Sequence, residues 1–226
     1  MEANLSKVIN MRISNTIEAL KKNNMNALYV PGKEEAKALL GTLLVENESI
    51  AVGGSVTLNE IGAFDILRSG KYNFIDRYEK GLSAEEQEKR FAMAMSCDTF
   101  LCSSNAITET GCLYNVDGRG NRISSIIYGP KRVIIIAGYN KIVPDVAAAV
   151  VRVKKTAAPA NCVRLDVDTY CAKHGSCIKS DCNCRNLMEV SGTDCENTIC
   201  CSTLVSGCQR VKDRITVILV GEMLGY

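Results

Sequence analysis

The sequence predicts an α/β protein: an open sheet with flanking helices, a β-hairpin, and a cysteine-rich insertion before the last strand. Three observations carry this expectation. Short apolar runs alternate with stretches of helical periodicity through most of the chain. Two runs, Arg132 to Ala137 and Ile215 to Val220, read as strands buried on both faces. Eight of the 12 cysteines, Cys171, Cys177, Cys182, Cys184, Cys195, Cys200, Cys201 and Cys208, interrupt the alternation in one late segment.

The elements follow in order. Leu5, Val8, Ile9, Ile13, Ile17 and Leu20 recur at helical spacing among polar residues, predicting an amphipathic opening helix that ends near Asn23 to Asn26. Ala27 to Val30 is a short strand closed by Pro31-Gly32, and Lys33 to Leu44 is composed of helix formers. Ser49 to Val52 is the next strand, broken by Gly53-Gly54, and Thr57 to Leu67 reads as a helix stopping near Gly70. Tyr72 to Ile75 is a strand. Ser83 and Glu86 have the spacing of a capping box, which starts a helix running to about Met95. Thr99 to Ser103 is short, apolar and followed by a polar loop, as a strand is. Cys112 to Val116 and Arg122 to Tyr128 flank a turn-rich stretch and read as the two arms of the hairpin. After the strand at Arg132, Pro144 suits the first turn of a helix reaching about Lys155, which Ala157 to Ala160 end.

Composition narrows the function classes. The chain has 226 residues, sized for one large domain or one domain with an appendage, and shows no internal repeat or linker. A formal charge of +2 and 5% aromatics lack the basic footprint and stacking residues of most nucleic-acid binders. No stretch approaches the ~20 apolar residues of a membrane helix, and the start lacks a secretory signal, so no membrane and a cytoplasmic location are expected. Thiols there are usually reduced, which directs the cysteines toward metal or redox chemistry before disulfides. The single histidine, His174, rules out within one chain any mechanism that needs two.

Two loops at predicted strand exits are placed to bind a ligand, because open α/β sheets collect ligands beyond the carboxyl ends of their strands. In Gly53-Gly54-Ser55-Val56-Thr57 the glycines admit a ligand to the backbone and the following helix amides face an anion. Thr57 and Glu60 also have capping-box spacing, which would serve the helix alone. The second loop runs from Ser103 through Asn105, Thr108 and Glu109 to Gly111; a carboxylate there can act as base or nucleophile, and its turn-forming residues equally suit an ordinary exposed loop. Asn115, Asp117, Arg119, Asn121 and Arg122 either join the same crevice or do ordinary turn chemistry. Lys141, at the exit of the Arg132 strand, is placed to neutralise a carboxylate or phosphate.

These residues resemble the LUD, or lactate-utilisation, domain family. The resemblance lies in Val52-Gly53-Gly54-Ser55 with Thr57 to Gly62, in Asn105 with Ile107-Thr108-Glu109 and Gly111, and in Tyr114 to Gly118 with Gly120-Asn121-Arg122. It continues through Gly129-Pro130-Lys131, Gly138, Asn140 to Val143, Ala157 to Asn161 and the closing Gly221 to Tyr226. The resemblance implies a Rossmann-like core akin to coenzyme A transferases and ribose-phosphate isomerases, as one domain over 1–226 with a cysteine-rich insertion at 162–208. Glu109-Thr110-Gly111 is similar to the motif that carries the glutamate nucleophile of some coenzyme A transferases, with Thr110 in place of its Asn and Thr108 in place of its Ser. Glu109 is thus the candidate catalytic residue. Gly53, Gly54, Ser55, Thr57, Glu60, Asn105, Thr108, Asp117 and Lys141 are the candidate binding residues for a small anionic metabolite.

Cys171, Cys177, Cys182 and Cys200 resemble the four-cysteine pattern of the shorter members, which implies an iron-sulfur cluster or zinc. Cys184 competes with Cys182 and Cys201 with Cys200, and a thiol redox switch is the rival reading. Cys97, Cys102 and Cys112 lie on or beside core elements and are expected to be small buried hydrophobes. The function so implied is a part in the use of lactate or a related organic acid. The alternatives are a transferase or isomerase acting through Glu109 on a coenzyme A ester or sugar phosphate, and a non-enzymatic iron-sulfur or zinc accessory protein of an oxidoreductase complex.

Overall fold

The computed structural model describes residues 3–180 and 195–226. Its centre is a parallel sheet of six strands: β1 (Asn26–Val30), β2 (Ser49–Val52), β3 (Asn73–Ile75), β4 (Thr99–Cys102), β7 (Arg132–Gly138) and β10 (Ile215–Val220). They lie in the order β1-β10-β7-β4-β2-β3. The run at Arg132 is central, paired with β10 on one side and β4 on the other. Alternation on this strand divides the core in two. Val133, Ile135 and Ala137 pack under α1 (Ala3–Lys22), α5 (Ala84–Ala94) and α6 (Asn121–Ile127), whereas Ile134 and Ile136 pack under α2 (Lys33–Leu43), α3 (Val56–Glu60) and α4 (Ala63–Leu67). Each fully buried Ile or Leu contributes roughly 1.5–3 kcal/mol, so a strand apolar on both faces belongs between two layers of helix. This is a Rossmann-like α/β fold with helices on both sides of the sheet.

A second sheet, in the order β8-β5-β6-β9, stands beside the first. It comprises β5 (Ala106–Thr108), β6 (Leu113–Asp117), β8 (Ile142–Val143) and β9 (Ser202–Ser206). The cysteine segment leaves α8 (Ala158–Arg164) and returns through β9, which pairs antiparallel with β6 before the chain enters β10. A short helix, α9 (Tyr170–His174), lies within that segment. No helix among the described residues is long and apolar enough to cross a membrane.

Three expectations are corrected. The hairpin exists, but its arms are β5 and β6; Arg122 to Tyr128 lies mostly in helix α6. The Asp117 carboxylate accepts the amides of Arg122 (3.0 Å) and Ile123 (2.9 Å), satisfying donors that open the helix, and Ile123 and Ile126 then bury the same face. The helix expected from Thr57 to Leu67 is two helices, because Gly62 adopts φ +68° between them. The helix after Pro144 begins at Val146 with Asp145 as its cap, its Oδ1 accepting the Ala148 amide at 2.8 Å. This helix, α7 (Val146–Arg152), does not stop at Ala157; it passes through a π-helical turn, Val153–Ala157, into α8.

Candidate functional site

Beyond the carboxyl ends of β2 and β4, and of the 3-10 turn that follows β7, lies a cavity of about 410 Å³. Three neighbouring strands of one parallel sheet therefore deliver their exit loops to one place, the usual ligand crevice of such sheets.

Arg122 holds these loops together. Its guanidinium donates to the Ser103 carbonyl (3.1 Å), Asn105 Oδ1 (2.8 Å), the Val116 carbonyl (2.9 Å), Asp117 Oδ1 (2.7 Å) and Asn115 Oδ1. Arg122 and Asp117 are both buried, an ion pair in which both terminal guanidinium nitrogens and both carboxylate oxygens are hydrogen-bonded. Gly53 is glycine because the exit of β2 lies against this arginine: a Cβ there would stand 3.1 Å from both Arg122 Cδ and Cys102 Cβ.

Lys141 ends the 3-10 turn Tyr139–Lys141 and is 3% exposed. Its Nζ donates to Thr57 Oγ1 and Ser103 Oγ, each at 2.9 Å, and makes no ion pair among the described residues. Burial, with the neighbouring charges of Arg152 and Arg122, lowers its pKa to about 7; Glu60 and Cys102 oppose this only in part. Arg77, Arg119 and Arg164 also line the cavity, where Asp117 is the one acidic side chain among the described residues. Asp117 is already bound to Arg122, and Arg119 is paired with Glu88. Arg77 Nε is buried without a hydrogen-bond partner among the described residues, and the guanidinium lies over the rings of Tyr78 and Phe91. The site is thus cationic in excess and partly desolvated, which strengthens its attraction for an anion.

Of the candidate binding residues, Gly54, Ser55, Asn105, Asp117 and Lys141 line the cavity. Thr57 holds Lys141, and Ser55 caps α3. Glu60 accepts the Gly225 amide at 2.6 Å and secures the closing segment that brings Tyr226 to the cavity. Two residues lie elsewhere. Thr108 works inside the hairpin turn, its hydroxyl accepting the Cys112 amide and lying 2.8 Å from that of Thr110. Glu109 is outside the lining and ion-paired with Arg12 of α1 at 2.7 Å. Glu109→Gln is therefore expected to leave affinity for an anion in the cavity unchanged. It should cost no more than about 1 kcal/mol of stability, as a partly exposed pair does; calorimetric titration and urea unfolding check both.

Arg77 and Arg164 were not legible as site residues, because neither falls within a motif, and a surface arginine carries no local signal of its own. Arg122 had a signal: Asp117 and a glycine-rich turn just ahead of it also suit a helix start.

The cysteine segment forms a second, much smaller cavity of about 20 Å³, bordered by Cys162, Cys171, Cys177, Cys195 and Cys200. This is room for about one water. Cys171 Sγ lies 3.6 Å from Cys162 Sγ and 3.4 Å from Thr169 Oγ1. Burial pushes the Cys162 thiol up to about 12 and Cys200 up to about 11. Among the described residues no three Cys, His, Asp or Glu side chains are grouped as a metal ion requires. Cys182 and its competitor Cys184 lie outside the described residues. His174 is exposed and stacks on Tyr170, away from this cavity. Cys97 and Cys102 are buried core residues, as expected, whereas Cys112 is half-buried. Cys200 and Ile199 border both cavities, so the two sites share a wall.

No curated protein matches the chain. Among solved structures, a DUF162 family protein from Deinococcus radiodurans is similar, with 15% identity and a TM-score of 0.49 over 95% of this chain and 97% of that one. The LUD domain model matches residues 13–220, nearly the whole of the fold described above, and the chain therefore belongs to the LUD domain family.

Proposed function

We propose that the protein binds a small anionic metabolite in the 410 Å³ cavity, in the service of lactate or related organic-acid utilisation. The observation that carries this reading is a buried lysine, Lys141, with no carboxylate paired to it among the described residues, facing a cavity also lined by Arg77, Arg122 and Arg164. A carboxylate or phosphate placed there gains charge-assisted hydrogen bonds that solvent screens little. Titration calorimetry with lactate, pyruvate, ribose 5-phosphate and coenzyme A tests it. Saturable binding of at least one compound is expected, weakened by Arg164→Ala; no binding across the set would defeat the reading.

We also propose a metal site at the cysteine segment, on the chemistry of the five cysteines that border one small cavity, although no three of them are grouped as a metal ion requires among the described residues. The donors fit a thiophilic ion in kind, because thiolates are the usual ligands of zinc and of iron-sulfur clusters. Cys171, Cys177 and Cys200, with Cys182 outside the described residues, would hold it. Zinc would cross-link the segment; a cluster would supply one-electron transfer and make an oxidoreductase the natural partner. Metal analysis of anaerobically purified protein tests this reading: stoichiometric zinc or iron, lost in Cys171→Ser, supports it, and metal-free protein overturns it.

A further inference from the structure

The cationic cavity contains an amine where a guanidinium would bind an anion as well, and the surroundings of that amine differ from those of a simple anion ligand. Two N–H groups of Lys141 are donated to Thr57 Oγ1 and Ser103 Oγ at 2.9 Å. When neutral, the nitrogen then keeps its lone pair while both hydroxyls hold it in position. Ser103 also lines the cavity, so a hydroxyl able to pass a proton stands beside both the amine and any bound ligand. Arg77, whose guanidinium lies over the rings of Tyr78 and Phe91, lines the same cavity and gives the anionic end of a ligand a separate anchor.

We propose that Lys141 Nζ forms an imine with the aldehyde or ketone carbonyl of an anionic ligand, a 2-oxo carboxylate or a sugar phosphate. The inference rests on the anion-binding reading and adds a covalent step to it. The lone pair of the neutral amine attacks the carbonyl carbon, and one amine proton passes to the carbonyl oxygen by way of the Ser103 or Thr57 hydroxyl. The carbinolamine so formed loses its hydroxyl with the second amine proton as water, leaving a C=N bond. One water is released for each carbonyl consumed, and no oxidant or reductant is needed. Lysine nucleophiles of this type are activated by desolvation and by a nearby cation. Lys141 has both: it is buried, and Arg122 and Arg152 are near it, while Glu60 and Cys102 are the groups acting in the opposite sense.

The experiment is reductive trapping. Wild-type protein is incubated with pyruvate in one arm and ribose 5-phosphate in the other, each with sodium borohydride, which delivers hydride to the imine carbon and fixes it as a secondary amine. Intact mass and peptide mapping then locate the adduct, and calorimetry without borohydride reports binding of the same compounds. The expected result is a single adduct on Lys141 in at least one arm, and the arm that reacts identifies the ligand class. The adduct should be absent in Lys141→Arg and retained in Lys131→Arg, an exposed lysine outside the cavity. Mapping on the wild type does not depend on the Lys141 variant folding. Binding without an adduct on Lys141 overturns the imine and leaves the anion-binding reading standing; neither binding nor adduct overturns both.

Discussion

Asp117→Ala is expected to destabilise the protein by about 3–5 kcal/mol, the cost of breaking a buried ion pair by removing one partner. For a chain of this size that corresponds to a fall of roughly 6–20 °C in Tm. The reason is the number of bonds that converge on one carboxylate. One oxygen accepts the Arg122 guanidinium at 2.7 Å, and the other accepts the amides of Arg122 and Ile123. Alanine leaves a buried guanidinium without its counter-charge and the start of α6 without its cap. It also frees Arg122 from the position in which it ties Ser103 to Asn105 and Val116, so anion binding should fall with stability. Asp117→Asn, which keeps acceptor capacity for the amides, should lose less. Thermal and urea unfolding give the answer directly; a loss below about 1 kcal/mol for the alanine variant would mean that the pair behaves like an exposed one.

The second large effect is a pH dependence that belongs to Lys141. Its ordinary pKa is 10.5, and in the folded protein it lies near 7. Between those values the unfolded chain holds a proton that the folded chain has released, so the unfolded state binds more protons and stability must rise with pH. The contribution is smallest below pH 7, where the amine is charged in both states and its burial penalty is fully felt. It grows by up to about 1.4 kcal/mol per pH unit as pH rises from about 7 toward about 10.5. Lys141→Met removes this dependence while keeping much of the side chain's bulk. Relative to wild type the variant should therefore be more stable at pH 7 than at pH 9, and its loss of anion affinity should be larger at pH 7, where the wild-type amine is still partly charged, than at pH 9. Urea unfolding of the two proteins at pH 7, 8 and 9 measures the difference; a difference that stays constant across the series would show that the amine is not desolvated.

The strands were the most legible part of the fold. Ser49 to Val52 and Ile215 to Val220 form strands over those same residues, and the central position of the Arg132 run follows from its being apolar on both faces. The capping box at Ser83 and Glu86 forms as its spacing required. Arg122 to Tyr128 is mostly helix and not a hairpin arm: Ile123, Ile126 and Ile127 are β-branched and suit either state, and the deciding factor is a long-range one. The Asp117 side chain caps the helix, while β6 finds partners in β5 and in β9, the latter more than eighty residues further along the chain. The helix end expected at Ala157 failed for a similar reason: the π-helical turn there is held in place by neighbours, with Val153, Ala157 and Ala158 buried.

The candidate site divides in the same way. Glycines and hydroxyls at strand exits announce a ligand crevice through local chemistry, and Gly54, Ser55, Asn105 and Lys141 do meet in one cavity. Glu109 and Thr108 belong to the same loop in sequence, but β5 carries them to the far end of the hairpin, where Glu109 meets Arg12. Alternation of apolar and polar residues, turn chemistry and cysteine spacing are local quantities, so α/β class, strand positions and the separation of a cysteine region from the loops at the strand exits could be read along the chain. The lowered pKa of Lys141, the Arg77 and Arg164 contributions, and the wall shared by the two cavities at Cys200 arise only once the chain has folded. Each depends on desolvation or on contact between residues far apart in sequence, and neither is a property of any short stretch of residues.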